Sequence, residues 1–261
     1  MSKKADISTI PHRGIELLDV LARHGGTARN AQIAKVMGVS EETVRRLVKA
    51  LEKDGKVERV HGGTYLIGQD SGLRYSTSLS TNSKAKTRIA AAATDIVPDG
   101  SAVFLNVGST TTFVAEQLRL RRELVVVSNS LSVVQALAGH NGNRVFLAGG
   151  EVDEADRGAF GSHAEEFIAN FAFDFAICGA DAIDADNGFL LRNPLEAQMS
   201  RRAVSRAKEA LIVADATKFG MSAPHVCCVP DAISRLVTDA VPDPKLTGAL
   251  KSWSVKVQVA K

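Results

Sequence analysis

Five positions in the second half of this 261-residue chain carry groups suited to anions or hydroxyls, and each follows an apolar run. Ser109 follows Val103–Val107, Asn129 follows Leu124–Val127, and Gly149 follows Arg144–Ala148. Asp181 follows Phe173–Cys178, and Lys218 follows Ala210–Val213. Around Ser109 the run Gly108-Ser109-Thr110-Thr111 reads as a turn entering a helix. Such a turn offers free backbone N–H groups, hydroxyls and the positive end of a helix dipole, all suited to a phosphate. It is not a nucleotide P-loop, because no Gly-Lys-Ser/Thr follows. With a carboxylate to grip hydroxyls and a lysine for an anion, the set suits a phosphorylated sugar or polyol. Each residue also has a plainer use. Ser and Thr cap helices, and Asp181 and Lys218 could form a structural ion pair or stand as solvated loop charges.

A second chemistry lies near the start of the chain. Arg45, Arg46 and Lys49 share the outer side of one helical stretch, with Thr43 beside them and Ser40 at its head. Arginines near the start of a helix can pair bidentately with guanine edges, while Lys49 and Arg59 suit phosphates, which position without reading sequence. His61 can be either a DNA contact or a hairpin-tip residue. A solvated helix face is the plainer use of the three cations.

The elements around those cations decide between the two. Ile15, Leu18 and Ala22 predict a helix over 13–23, ended by Gly25-Gly26, and a second helix is expected over 30–37. Gly38-Val39-Ser40 then makes a tight turn, with Ser40 as N-cap of a third helix. Val44, Leu47, Val48 and Leu51 fall at i, i+3, i+4 and i+7, giving that helix one apolar stripe. Val57–Val60 and Thr64–Ile67 read as two strands around a Gly62-Gly63 tip. Three helices and a β-ribbon make a winged helix-turn-helix, expected over residues 1–68, whose third helix enters the major groove of double-stranded DNA.

Residues 69–83 are polar and rich in Ser and Thr, and read as an exposed linker. A helix is expected from Lys84 through Val97, closed by Pro98-Asp99-Gly100. Beyond it, apolar strands alternate with helices over the rest of residues 84–261. That alternation predicts a mostly parallel α/β domain, in which ligands gather outside the carboxyl ends of the strands. Ser109, Asn129, Gly149, Asp181 and Lys218 all fall at such ends.

Composition bounds the rest. Residues 1–68 hold 12 Lys and Arg against 8 Asp and Glu, whereas the remainder holds 20 against 21. The positive excess lies in the segment read as meeting DNA. No apolar run reaches membrane-spanning length, and no apolar stretch follows Lys3-Lys4, so a cytoplasmic protein without a signal peptide is expected. Cys178 sits in an apolar run, and Cys227-Cys228 has neither a metal nor a disulfide spacing. No metal and no cofactor is expected.

Residues 13–63 resemble the N-terminal domain of DeoR-type bacterial transcription regulators. The resemblance rests on Gln32-Ile33-Ala34, Val39-Ser40-Glu41-Glu42-Thr43-Val44-Arg45-Arg46, Leu51-Glu52, Gly55 and Arg59-Val60-His61-Gly62-Gly63. In that family an acidic residue usually follows the paired arginines; here Leu47 stands there. Residues 86–240 resemble the family's sensor domain through Ile89-Ala90, Gly108-Ser109-Thr110-Thr111, Ser128-Asn129-Ser130, Gly149-Gly150 and Gly161. Gly179-Ala180-Asp181, Asp215-Ala216-Thr217-Lys218-Phe219 and Thr238-Asp239 continue it. The resemblance implies a fold similar to ribose-5-phosphate isomerase and glucosamine-6-phosphate deaminase, and a response to phosphorylated sugars. It carries Gly108, Ser109, Thr110, Thr111, Asn129, Gly149, Asp181 and Lys218 over as effector-binding residues.

That kinship makes catalysis the rival reading. Pentose-phosphate isomerases carry an Asp-Gly-Ala-Asp-Glu run, and Cys178-Gly179-Ala180-Asp181-Ala182 lacks two of its three carboxylates. Proton transfer between sugar carbons needs a positioned base, and no spacing places Glu196 or Asp184 as a substitute. The expectation is a repressor of a sugar or polyol operon that is not an enzyme. It would act as a dimer or tetramer and be relieved by a phosphorylated sugar. A C-terminal domain that only assembles the oligomer is the third reading.

Overall fold

The computed structural model describes residues 12–23, 27–60, 63–66, 75, 78–79 and 81–261. They fall in two compact units, one within Met1–Gln69 with Met221–Ala223, the other within Asp70–Gly220 with Pro224–Lys261. No helix among the described residues is long and apolar enough to cross a membrane.

The first unit opens with α1 (His12–Arg23), β1 (Thr27–Arg29), α2 (Asn30–Met37) and α3 (Glu41–Lys53), followed by β2 (Val57–Val60) and β3 (Gly63–Leu66). Gly38 ends α2 at φ 63°, a left-handed conformation that costs glycine no Cβ clash. Two residues later Ser40 Oγ accepts from Thr43 N at 3.2 Å and caps α3. Val44, Val48 and Leu51 bury their stripe against Leu17, Leu21 and Ile33, with Leu47 packed at the margin. The wing is antiparallel, in the order β1-β3-β2. β1 was invisible as a strand, because three residues hold too little alternation to register.

The second unit begins its regular structure with α4 (Ser83–Thr94), which stops three residues short of the expected Val97. There the chain tightens, with Ile96 N donating to Ala93 O and Val97 N to Thr94 O. Strands β4 (Ala102–Leu105), β5 (Val125–Ser128), β6 (Arg144–Leu147), β9 (Phe173–Gly179), β12 (Ala207–Val213), β14 (Arg235–Thr238) and β15 (Lys256–Val259) form one sheet. The order is β15-β14-β12-β9-β4-β5-β6, and every pairing is parallel. Helices α4, α5 (Ser109–Leu118) and α6 (Leu131–Leu137) cover one face through Ile89, Val114, Leu118, Val133 and Leu137. Helices α7 (Ser162–Ala169), α8 (Pro194–Val204) and α9 (Pro244–Ser252) cover the other through Ile168, Ala197, Ala203, Leu246 and Leu250. Along β12, Leu211 and Val213 pack on the first face and Ala210 and Ile212 on the second, the period-two alternation of a strand buried on both sides.

Two smaller elements sit at the strand ends. Hairpin β7 (Glu151–Asp153) and β8 (Gly158–Phe160) follows β6. A three-stranded sheet joins β10 (Ala182–Asp184), β11 (Gly188–Leu191) and β13 (His225–Val226). The expected exposed linker over 69–83 needs correction at one place. Tyr75 is buried, and its hydroxyl lies 2.7 Å from Thr112 Oγ1 in the second unit. An aromatic ring with a matched hydroxyl partner gains by leaving water, whatever the polarity of the residues around it in sequence.

Candidate functional site

The sheet reverses its direction of growth between β4 and β9: β5 and β6 are added on one side, then the chain returns to lay β9 on the other. The carboxyl ends of two strands that diverge in this way leave a crevice, the usual ligand position in open α/β sheets. Asn106, just past β4, spans it. Its Oδ1 accepts from Gly179 N at 3.0 Å, and its Nδ2 donates to Glu196 Oε1 at 2.9 Å.

On the β4 side, Gly108 turns the chain into α5 at φ 137°, ψ 157°, a conformation open essentially to glycine alone. At the N-cap it brings no side chain to cover the first N–H groups of α5. Ser109 and Thr110 are each 8% exposed. Thr111 and Thr112 turn their hydroxyls back onto Gly108 O at 3.0 and 2.8 Å. Thr111 therefore serves as a brace of the turn.

On the β9 side, Asp181 accepts from Arg192 N at 2.9 Å, and its other oxygen lies 3.3 Å from the Arg192 guanidinium. The structural ion pair is thus realised, with Arg192 as the partner rather than Lys218. Glu196 sits in the first turn of α8, behind Asn193 and Pro194. Burial, then the negative charges of Asp181 and Asp156, push its carboxyl well above the usual range, against the pull of Arg192. Asp184, the other carboxylate in question, is a turn former. It accepts from Asp186 N, Asn187 N and Asn187 Nδ2.

Asn129, just past β5, is wholly buried. Its Nδ2 donates to Ala159 O at 3.2 Å, and its Oδ1 has no hydrogen-bond partner. Hairpin β7–β8 closes over it. A Cβ on Gly158 would stand 3.5 Å from Asn129 Nδ2 and 2.2 Å from Val107 Cγ1, so the amide lies beside the turn that opens α5. An unpaired buried acceptor is costly and asks for a donor such as a hydroxyl.

Ser109, Asn129 and Asp181 therefore stand at three adjacent strand ends. Gly149 is exposed past β6, and Lys218 ends a short 3-10 turn (Ala216–Lys218) past β12. Four strand spacings separate β6 from β12, roughly 19 Å. Lys218 adds its charge near Lys86, which is 3% exposed. Burial, opposed by Asp215 and aided by Lys218, lowers Lys86 to about 8.

Asn106 and Arg192 escaped the sequence reading, and Glu196 was named there without a position. Asn106 had a signal, a polar residue inside an apolar run. Asn193-Pro194 followed by an acid is a helix-start signature that would have put Glu196 at an α8 terminus.

In the first unit, Arg45, Arg46 and Lys49 are exposed on α3. Arg45 lies 3.7 Å from Glu41 and 3.4 Å from Glu42, so acids on its N-terminal side orient it where Leu47 replaces the usual carboxylate. Arg59 pairs with Glu52 at 2.8 Å. Ser40 and Thr43 share a 2.9 Å hydroxyl contact. His61 lies outside the described residues.

Comparison with known proteins gives the family. Residues 81–240 match the DeoR C terminal sensor domain, and residues 12–61 match the IclR helix-turn-helix domain. The N-terminal match confirms a helix-turn-helix under a different family heading from the DeoR resemblance of those residues. The glycerol-3-phosphate regulon repressor of Escherichia coli (strain K12) is 28% identical over 239 residues, 92% of this chain and 95% of that protein. Transcriptional repressor AccR of Agrobacterium fabrum is 31% identical over 204 residues, 77% of this chain and 79% of that one. Ribose 5-phosphate isomerase A of Methanocaldococcus jannaschii shares 17% identity at TM-score 0.40, over 53% of this chain and 55% of that chain, a likeness of outline only. The chain belongs to the DeoR family of helix-turn-helix transcriptional regulators.

Proposed function

We propose that this chain represses a sugar or polyol catabolic operon and is relieved by a phosphorylated sugar or polyol. Residues 1–68 bind the operator, with Arg45 and Arg46 at base edges, Ser40, Thr43, Lys49 and Arg59 along the backbone, and His61 at the wing tip. Residues 84–261 sense the effector and assemble a cytoplasmic dimer or tetramer. The phosphate lies at Gly108, Ser109 and Thr110, braced by Thr111. Asn129 and Asp181 meet hydroxyls, with Gly149 and Lys218 at the margins. The observation that carries this reading is the uncapped start of α5, set at the switch point beside a buried amide whose Oδ1 lacks a partner. The names of the relatives, a glycerol-3-phosphate regulon repressor among them, support the ligand class.

The test is fluorescence anisotropy on DNA from upstream of its own and neighbouring genes, titrated with phosphorylated and free sugars. Release by a phosphorylated compound and not by its free sugar is expected. DNA binding that no compound alters removes the sensing half of the reading.

One observation favours catalysis as the second reading. Glu196 is a buried carboxyl with a raised pKa at the crevice, the profile of an acid–base group. Turnover of ribose 5-phosphate or glucosamine 6-phosphate by the purified protein, lost in Glu196→Gln, would establish it. We propose that no turnover occurs and that Glu196 serves as a neutral hydrogen-bonding partner.

A further inference from the structure

The chain that leaves the helix-turn-helix unit enters the second unit through Tyr75, Ser78 and Asn82, and the first two are fastened to the first turn of α5, the candidate phosphate cradle itself. Tyr75 reaches Thr112 Oγ1 at 2.7 Å; because Thr112 already donates to Gly108 O, Tyr75 is the donor. The Arg157 guanidinium of the β7–β8 hairpin lies 5.8 Å from the centre of the Tyr75 ring, within cation–π range. Ser78 Oγ lies 3.2 Å from Ser109 Oγ, at the first residue of α5. Lys86 Nζ donates to Ser78 O and Thr81 O at 2.5 and 2.9 Å, and Asn82 Nδ2 donates to Asp215 Oδ1 at 3.3 Å. A serine hydroxyl thus sits against the hydroxyl that an incoming phosphate would use.

We propose that Ser78 competes with the effector phosphate for Ser109, so that occupancy of the cradle unfastens the strap formed by Tyr75, Ser78 and Asn82. The proposal deepens the effector-binding reading of α5 and rests on it. An isolated helix start would not suffice, but the wholly buried Asn129, with its Oδ1 unpartnered beside the same turn, independently calls for a ligand. The device needs no long-range path. The ligand displaces a residue of the very segment that leads to the DNA-binding unit, and a ligand shifts a conformational equilibrium only through such differential contacts.

Hydrogen exchange on the full chain tests it, with inorganic phosphate as probe and sodium chloride at matched ionic strength as control. Peptides spanning Gly108–Thr112 should gain protection while the peptide carrying Tyr75 and Ser78 loses it severalfold. Ser78→Ala should loosen that peptide without phosphate and tighten phosphate binding by roughly two- to tenfold, the worth of one neutral hydrogen bond. Protection at Gly108–Thr112 with the Ser78 peptide unchanged or better protected would overturn the strap and leave the ligand site standing. Unaltered phosphate affinity in Ser78→Ala would overturn the competition. No protection at Gly108–Thr112 at any phosphate concentration would sink the cradle and the strap together.

Discussion

Glu196 accepts a 2.9 Å hydrogen bond from Asn106 across the point where the sheet changes direction, and both side chains are buried. The pair ties the end of β4 to the first turn of α8. It also holds a carboxyl where ionisation is disfavoured.

That carboxyl gives a pH signature. A pKa raised on folding means the contribution of Glu196 is fully present below the ordinary glutamate value and lost as pH climbs toward the folded value. Glu196→Gln has no proton to lose. Its stability relative to wild type should therefore improve with pH above about 4.5, at a slope of up to about 1.4 kcal/mol per pH unit. Urea denaturation of both proteins from pH 5 to 8 measures it. Parallel curves would mean that Glu196 ionises in the fold as it does in water.

Lys86 gives the opposite window. Its pKa falls from 10.5 to about 8, so above pH 8 the unfolded chain holds a proton that the folded chain has shed. Stability should rise with pH between about 8 and 10.5 on this account. Lys86→Met should flatten that rise. Denaturation midpoints at pH 8 and pH 10 for the two proteins decide it, and an identical rise in both assigns the effect elsewhere.

On α3, Arg46→Ala should weaken operator binding by about 1–3 kcal/mol, roughly 5- to 150-fold, if the guanidinium reads a guanine edge. Its exposure predicts little loss of stability. Arg45 is held near Glu41 and Glu42 only by exposed pairs, which are weak and can exchange for DNA. Anisotropy for affinity and thermal denaturation for fold separate the two effects. An Arg46→Ala protein that binds its operator as wild type does removes Arg46 from the contact set.

Gly158→Ala should be far more damaging than its position in a two-stranded hairpin suggests. The new Cβ would stand 2.2 Å from Val107 Cγ1, so the hairpin or the turn before α5 must move. A destabilisation of about 1–3 kcal/mol is expected from overpacking of this kind. Denaturation measures it, and a wild-type midpoint would show that the contact relaxes freely.

The sequence made the long apolar runs and the three-helix pattern legible, because hydrophobic periodicity is a local signal. It did not reveal β15, whose Lys256-Val257-Gln258-Val259 alternates like any exposed edge strand and joins the sheet only through β14. The strand-end residues were readable as a set, but their distances were not. The strand order sets Gly149 past the edge strand β6 and Lys218 past the inner strand β12, with Ser109 between them. The partner of Asp181 proved to be Arg192, eleven residues on, because the β10–β11 hairpin folds back. No spacing rule anticipates that return.

The order of the sheet also bears on how the chain is made. β4 lies inside the finished sheet, yet one of its two neighbours, β9, begins only at Phe173. At ordinary ribosomal speeds the stretch from Leu105 to Phe173 takes roughly 3 to 14 s to emerge. Throughout that interval Val103, Phe104 and Leu105 lie along an open edge, the kind of surface on which unfinished chains pair with one another. The switch point of the finished sheet is, during synthesis, an open seam.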